Sequence, residues 1–325
     1  MRRSALAATV AVASLAVLGG CTPPVPDVVT APAVQEPAAI TQTQVDRIVP
    51  ATFAELAAAD EALDASLLTA RVADPAATIR GVQYALSEAG DEGAVTELPG
   101  TMQAVYVSAE GVFPRIMVGV SEAAEDSTPV VLMWVQEDID ADYALVNWAH
   151  MIPGASLPAM PGTATGSNQL PLDTDTLAVT PEQAVNDYVT LLTEGSGSDV
   201  AESFEADTYR ERLFEARKAL DAAAKKGDGG FKDTIEARLD DTFAMATADG
   251  GALVFAPLSI TSRLAVKNGA TVSISAADKA LVEGDLKAAV THTYSDFVVI
   301  HIPADPEAKP AVVAADHHLV RVQAK

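Results

Sequence analysis

Helix-type periodicity followed by strand-type runs occurs twice along this chain, with a proline-rich stretch in between, and that order constrains the fold more than any single motif. In the first half Val45, Ile48, Phe53, Leu56 and Leu63 recur at broadly helical spacing behind Thr43, which is placed to cap the helix, and Pro50 is expected to kink or restart it. Residues 68–86 read two ways: Ile79, Val82 and Leu86 fit a helix, Val82 and Tyr84 fit a strand, and extended structure is favoured. After Pro99 come four apolar runs, Met102 to Val107, Arg115 to Val120, Val130 to Val135 and Tyr143 to Ile152, separated by turn residues as in an antiparallel meander.

The second half repeats the order. Thr180-Pro181-Glu182-Gln183 supplies a cap, a proline at the first helical position and a glutamine able to reach back. Val185, Tyr188, Val189 and Leu192 form the apolar stripe, and Gly195 stops the helix. A second helix is expected from Thr208 to Gly227. Strands are expected over Phe243 to Ala248, Leu253 to Val266, Ala270 to Ser275, Leu286 to Ile302 and Val312 to Val322. The fold class is therefore α+β in two modules, each with helices packed on a curved antiparallel sheet. The expected bounds are a leader over 1–20, a proline-rich tether over 21–43, a first module over 44–158, a linker over 159–179 and a second module over 180–325.

The leader has its own logic. Arg2 and Arg3 precede an uncharged apolar run, Ala5 to Leu18, that is shorter than the ~20 residues a membrane-spanning helix needs, and Gly19-Gly20 offer a peptidase close backbone access. Leu18-Gly19-Gly20-Cys21 resembles the bacterial lipobox. The resemblance implies cleavage between Gly20 and Cys21, lipidation of the Cys21 thiol, and an address on the outer face of the cell membrane. Acyl chains suffice physically, since each buried methylene contributes ~0.8 kcal/mol and two chains together hold stably. Five prolines between Thr22 and Thr43 make an extended tether rising ~3.1 Å per residue, with a reach of roughly 70 Å.

Charge removes one class of function. With 21 basic against 45 acidic residues the net charge is −24, and nucleic-acid affinity depends on Lys and Arg displacing counterions. One cysteine forbids an internal disulfide.

The lipobox, the segment Leu68 to Tyr84, the strand pair within Pro129 to Pro158 and the capped helix Thr180 to Leu192 together resemble a group of uncharacterised actinobacterial envelope lipoproteins. The second half also resembles the NTF2-like or cystatin-like cone. These resemblances imply an architecture and an envelope location. They bring no catalytic residue, because such cones host enzymes, carriers and scaffolds alike.

Candidate chemistry is sparse. Asp138, Asp140 and Asp142 alternate as at the start of a calcium loop, but Tyr143 stands where the turn needs Gly and Ala149 where a closing Glu belongs, so a weak cation site is the most that run supports. His150, His292, His301, His317 and His318 have no metal-ligand spacing. His317 and His318 are expected on opposite faces of one strand, with Asp316 beside them as a polar edge residue. No nucleophile elbow, phosphate loop or zinc-protease helix is present, and pairs such as Asp240-Asp241 carry little information in so acidic a chain. Trp134 and Trp148 lie on successive strands, as core residues or as a sugar- or lipid-facing platform. No catalytic residue, metal or cofactor is assigned.

The sequence points to a lipid-anchored extracytoplasmic protein that binds or scaffolds without catalysis. Its expected partners are the membrane, through the anchor, and an envelope protein or small apolar ligand, with no nucleic acid. An envelope hydrolase of unrecognised type is the alternative, and a pocket with converging histidines or carboxylates would favour it.

Overall fold

The first helix, α1 (Gln42–Ala62), starts one turn before apolar Val45. Thr41 takes the capping position, not Thr43, and its backbone N–H donates to Gln44 Oε1 at 2.8 Å. The helix runs through Pro50 without restarting. Proline forgoes the bond to the carbonyl four residues back, which belongs to the exposed residue Asp46. This computed structural model describes residues 37–324 apart from Glu110 and Asp126. The leader, Gly20, Cys21 and most of the tether lie outside the described residues. Ala38 bridges Ala109 and Ile40 is buried, so ordered packing begins before residue 44.

Residues 76–88, where extended structure was favoured, form α2 (Ala76–Glu88). Asp74 Oδ1 accepts from the Thr78 backbone N–H and hydroxyl, at 3.2 and 2.6 Å, which tightens the first turn. The buried face carries Ile79, Arg80, Gln83 and Tyr84, so polar residues occupy positions where an apolar stripe would have announced a helix.

The meander is as expected: β1 (Met102–Val107), β2 (Arg115–Ser121), β3 (Val130–Gln136) and β4 (Ala144–His150) form an antiparallel sheet in that order. A bulge shifts the β3–β4 register between Met133 and Trp134, pairing Trp134 with Leu145 and Leu132 with Trp148. Both tryptophans consequently face α1 and α2 in one core, fully buried. Trp134 Nε1 donates to Thr52 Oγ1 at 3.0 Å, and Thr52 in turn donates to the Ile48 carbonyl. Space is tight at Gly119: a Cβ there would meet Met102 Sδ at 2.8 Å and the Trp134 ring at 3.0 Å, so a larger residue would force those side chains to shift.

In the second half α3 (Pro181–Glu194) is capped by Thr180, whose Oγ1 accepts from the Gln183 N–H, and α4 (Thr208–Lys226) by Asp207. The strands are β5 (Gly230–Ala237), β6 (Phe243–Ala246), β7 (Ala252–Ala265), β8 (Val282–Glu283), β9 (Ala289–Ile302) and β10 (Ala311–Ala324). They are ordered β5-β7-β9-β10-β8 with β6 beside β7, antiparallel except for the two-residue β8 contact. β5, unread in the sequence, alternates polar and half-buried residues. Ala270 to Ser275, read as a strand, is irregular.

The protein is thus mixed α+β with two sheets. α1 and α2 cover one face of the first sheet, and α3 and α4 cover one face of the second. The remaining faces meet in a shared core containing Ile116, Val118, Val131 and Met133 from the first sheet and Leu253, Phe255, Phe297 and Val299 from the second. Side chains alternate between faces along each strand, so strands buried on both sides read as continuous apolar runs. The segment 159–179 between the sheets pairs with both: Ser167 bridges Ser108 and Gln169 bridges Met245.

Candidate functional site

The two sheets also meet at a seam. Just past the end of β4, Met151 bridges Ala314 on β10, and the Ile152 N–H donates to the Val313 carbonyl at 2.9 Å. Beside this seam lies a cavity of about 580 Å³, inside the usual ~300–1,000 Å³ for small-molecule sites. The end of β4, the edge of β10 and the first turns of α4 line it.

Two histidine–aspartate pairs sit there, one on each face of β10. On the face toward α4, register places His317 directly opposite Asp296 of β9. His317 Nδ1 is 2.8 Å from Asp296 Oδ1 and 2.9 Å from Oδ2, and the ring stacks on Tyr294 at 3.8 Å. Asp296 is fully buried and also accepts the Tyr209 hydroxyl from α4. Burial, then the Asp296 charge, holds that phenol well above its usual pKa, so it stays a donor. On the other face His150 Nδ1 lies 2.8 Å from Asp316 Oδ2, and this hydrogen bond raises the imidazole's pKa against the opposing effect of burial.

The position of α4 is fixed from behind. Asp207, buried at its cap, accepts the Arg210 N–H at 2.8 Å and the Tyr188 hydroxyl of α3 at 3.2 Å. That pinning carries Tyr209 beneath the cavity and Arg212 to its rim. Arg212 is exposed and has no salt-bridge partner among the described residues, whereas Arg210 and Arg217 face Asp207 and Asp233.

The histidines expected on opposite faces do separate: His317 turns toward α4, and His318 packs on Trp148, ring centroids 5.1 Å apart. Asp316, read as a polar edge residue, is a partner of His150. Nothing local in the chain marks Asp296 or Tyr209 as part of a site, and only the count of histidines hints at the cluster. Asp138 Oδ1 is taken up by the backbone N–H groups of Asp140 and Ala141, and Asp142 pairs with Arg71 at 2.9 Å. Among the described residues no three His, Cys, Asp or Glu side chains gather as a metal cage, and no helix is long and apolar enough to cross a membrane. Asp241 pairs with Arg238 rather than with a second carboxylate.

A family model described as "Domain of unknown function (DUF8094)" matches residues 36–324. The chain belongs to this DUF8094 family. The match spans both sheets and the seam, so the DUF8094 unit includes the whole cavity. No curated protein matches the chain, and no solved structure does.

Proposed function

We propose that this is a lipid-anchored, extracytoplasmic envelope protein of actinobacterial type whose folded unit binds a small ligand in the seam cavity without transforming it. The single observation carrying the binding reading is that cavity, walled by Met151, Ile152, Leu213 and Ala315 and furnished with a few fixed polar groups. The address rests on Leu18-Gly19-Gly20-Cys21. The helix-then-strand order of residues 181–324, with three strands of 14 residues, supports an NTF2-like or cystatin-like second module.

Two experiments test this. Cys21→Ala should release the protein from the membrane fraction or stall its maturation, and a variant as firmly anchored as wild type would refute the address. Nile red, a neutral apolar dye, should brighten on the purified chain. Ala216→Trp, which fills the cavity from an exposed helix position, should abolish the signal. Undiminished fluorescence in that variant would show that the dye, and the ligand site, lie elsewhere.

The hydrolase reading has in its favour the feature named for it above, since two histidine–aspartate pairs converge on this cavity. The order Asp296, His317, cavity is the orienting half of a nucleophilic triad, with the carboxylate fixing Nδ1 and leaving Nε2 free. Among the described residues neither His150 nor His317 hydrogen-bonds a hydroxyl or thiol, so binding is the reading with more support.

A further inference from the structure

We propose that the seam cavity takes an amphiphilic monocarboxylate, its apolar body against the Met151, Ile152, Leu213 and Ala216 wall and its carboxylate at the rim formed by Arg212, His150 and His317. This deepens the binding reading above and depends on it.

The charged groups at the cavity differ in what they have left to offer. Asp296 and Asp316 are already committed: one holds His317 Nδ1 and the Tyr209 hydroxyl, the other holds His150 Nδ1. Because both imidazoles spend Nδ1 on a carboxylate, Nε2 is the nitrogen each keeps for a ligand. His150, when protonated beside Asp316, makes a locally neutral pair that still has an Nε2–H to donate. His150 is held toward that state by Asp316. Arg212 is then the uncompensated charge at the cavity, permanently positive and rich in donors. Among the described residues lining the cavity, a cationic ligand would meet Arg212 with no uncommitted carboxylate to receive it. A dianion such as phosphate would bring two charges to one arginine in a chain of net charge −24. A single carboxylate matches the one unpaired cation. The apolar wall supplies the rest of the affinity by burying the methylenes of the ligand's body.

Calorimetric titration of the purified chain with decanoate, decanol, decyltrimethylammonium and inorganic phosphate tests this. Decanoate should bind one to one and at least tenfold more tightly than the other three. Arg212→Gln should weaken decanoate about tenfold, leave decanol unchanged and leave the thermal midpoint unchanged, because the side chain is exposed; Arg212→Lys should recover most of the loss. Decanol binding as well as decanoate, or an Arg212→Gln variant that binds decanoate like wild type, would overturn the carboxylate assignment while leaving the cavity a ligand site. Phosphate equal to decanoate would overturn the amphiphile. No decanoate binding together with Nile red fluorescence that Ala216→Trp leaves intact would bring down the cavity reading itself.

Discussion

His150, at the end of β4, and His318, on β10, both approach Asp316 Oδ2 across the seam and pull stability in opposite directions with pH. Asp316 raises the pKa of His150 on folding, so its contribution is fully present below the unfolded value of 6.5 and is lost as pH rises through the folded value. Burial against Trp148 lowers the pKa of His318, so the unfolded chain takes up a proton that the folded chain refuses, and stability falls as pH drops through 6.5. Urea melts should therefore show His150→Gln costing more at about pH 5.5 than at about pH 8.5, and His318→Gln flattening the acid-side loss. Equal costs for His150→Gln at both pH values would break the link to Asp316. These partnerships were not legible in the sequence because the pairing distance is set by the fold: His150 and Asp316 are 166 residues apart. The opposite orientation of His317 and His318 was legible, since it follows from strand geometry alone.

At the scale of elements, the sequence announced whatever had a strong period. The meander and the Thr180-capped helix stand within a residue or two of their expected ends, because continuous apolar runs and caps leave local marks. α2 and β5 were missed for a common reason: each presents polar side chains where a buried apolar pattern should be. Arg80 is the extreme case, 1% exposed on the inner face of α2, lying over Trp148 and donating to the Thr96 carbonyl at 2.8 Å. Only tertiary partners make such a residue an interior one. Pro50 is the converse, a breaker overruled by the packing of Val45, Ile48, Val49 and Leu56 on either side. Removing the breaker should help. Pro50→Ala restores a helix hydrogen bond and relieves a clash, at the cost of ~0.4–1 kcal/mol of unfolded-chain entropy, for a net gain of about 2 kcal/mol. A melting temperature at or below wild type would mean that α1 is shaped around its proline.

For the whole molecule, the decisive feature is the core between the sheets. Fully buried Phe297, Val299, Leu253 and Phe255 would face water if the second sheet stood alone, as would Ile116, Val131 and Met133 of the first, at roughly 1.5–3 kcal/mol for each large side chain. The proline-rich 159–179 segment reads in the sequence as a linker between two modules. The shared core favours one cooperative transition, with neither half soluble by itself. Two resolved transitions in calorimetry, or a folded 180–325 fragment, would restore the independent modules. The seam adds an element of timing. A chain made from its amino terminus has His150 in hand early and waits for Ala311–Ala324 before the β10 wall of the cavity exists. A copy that stops short of that strand loses Val313 and Ala314 from the shared core together with the cavity wall, so under the proposed reading ligand occupancy reports that synthesis ran to completion.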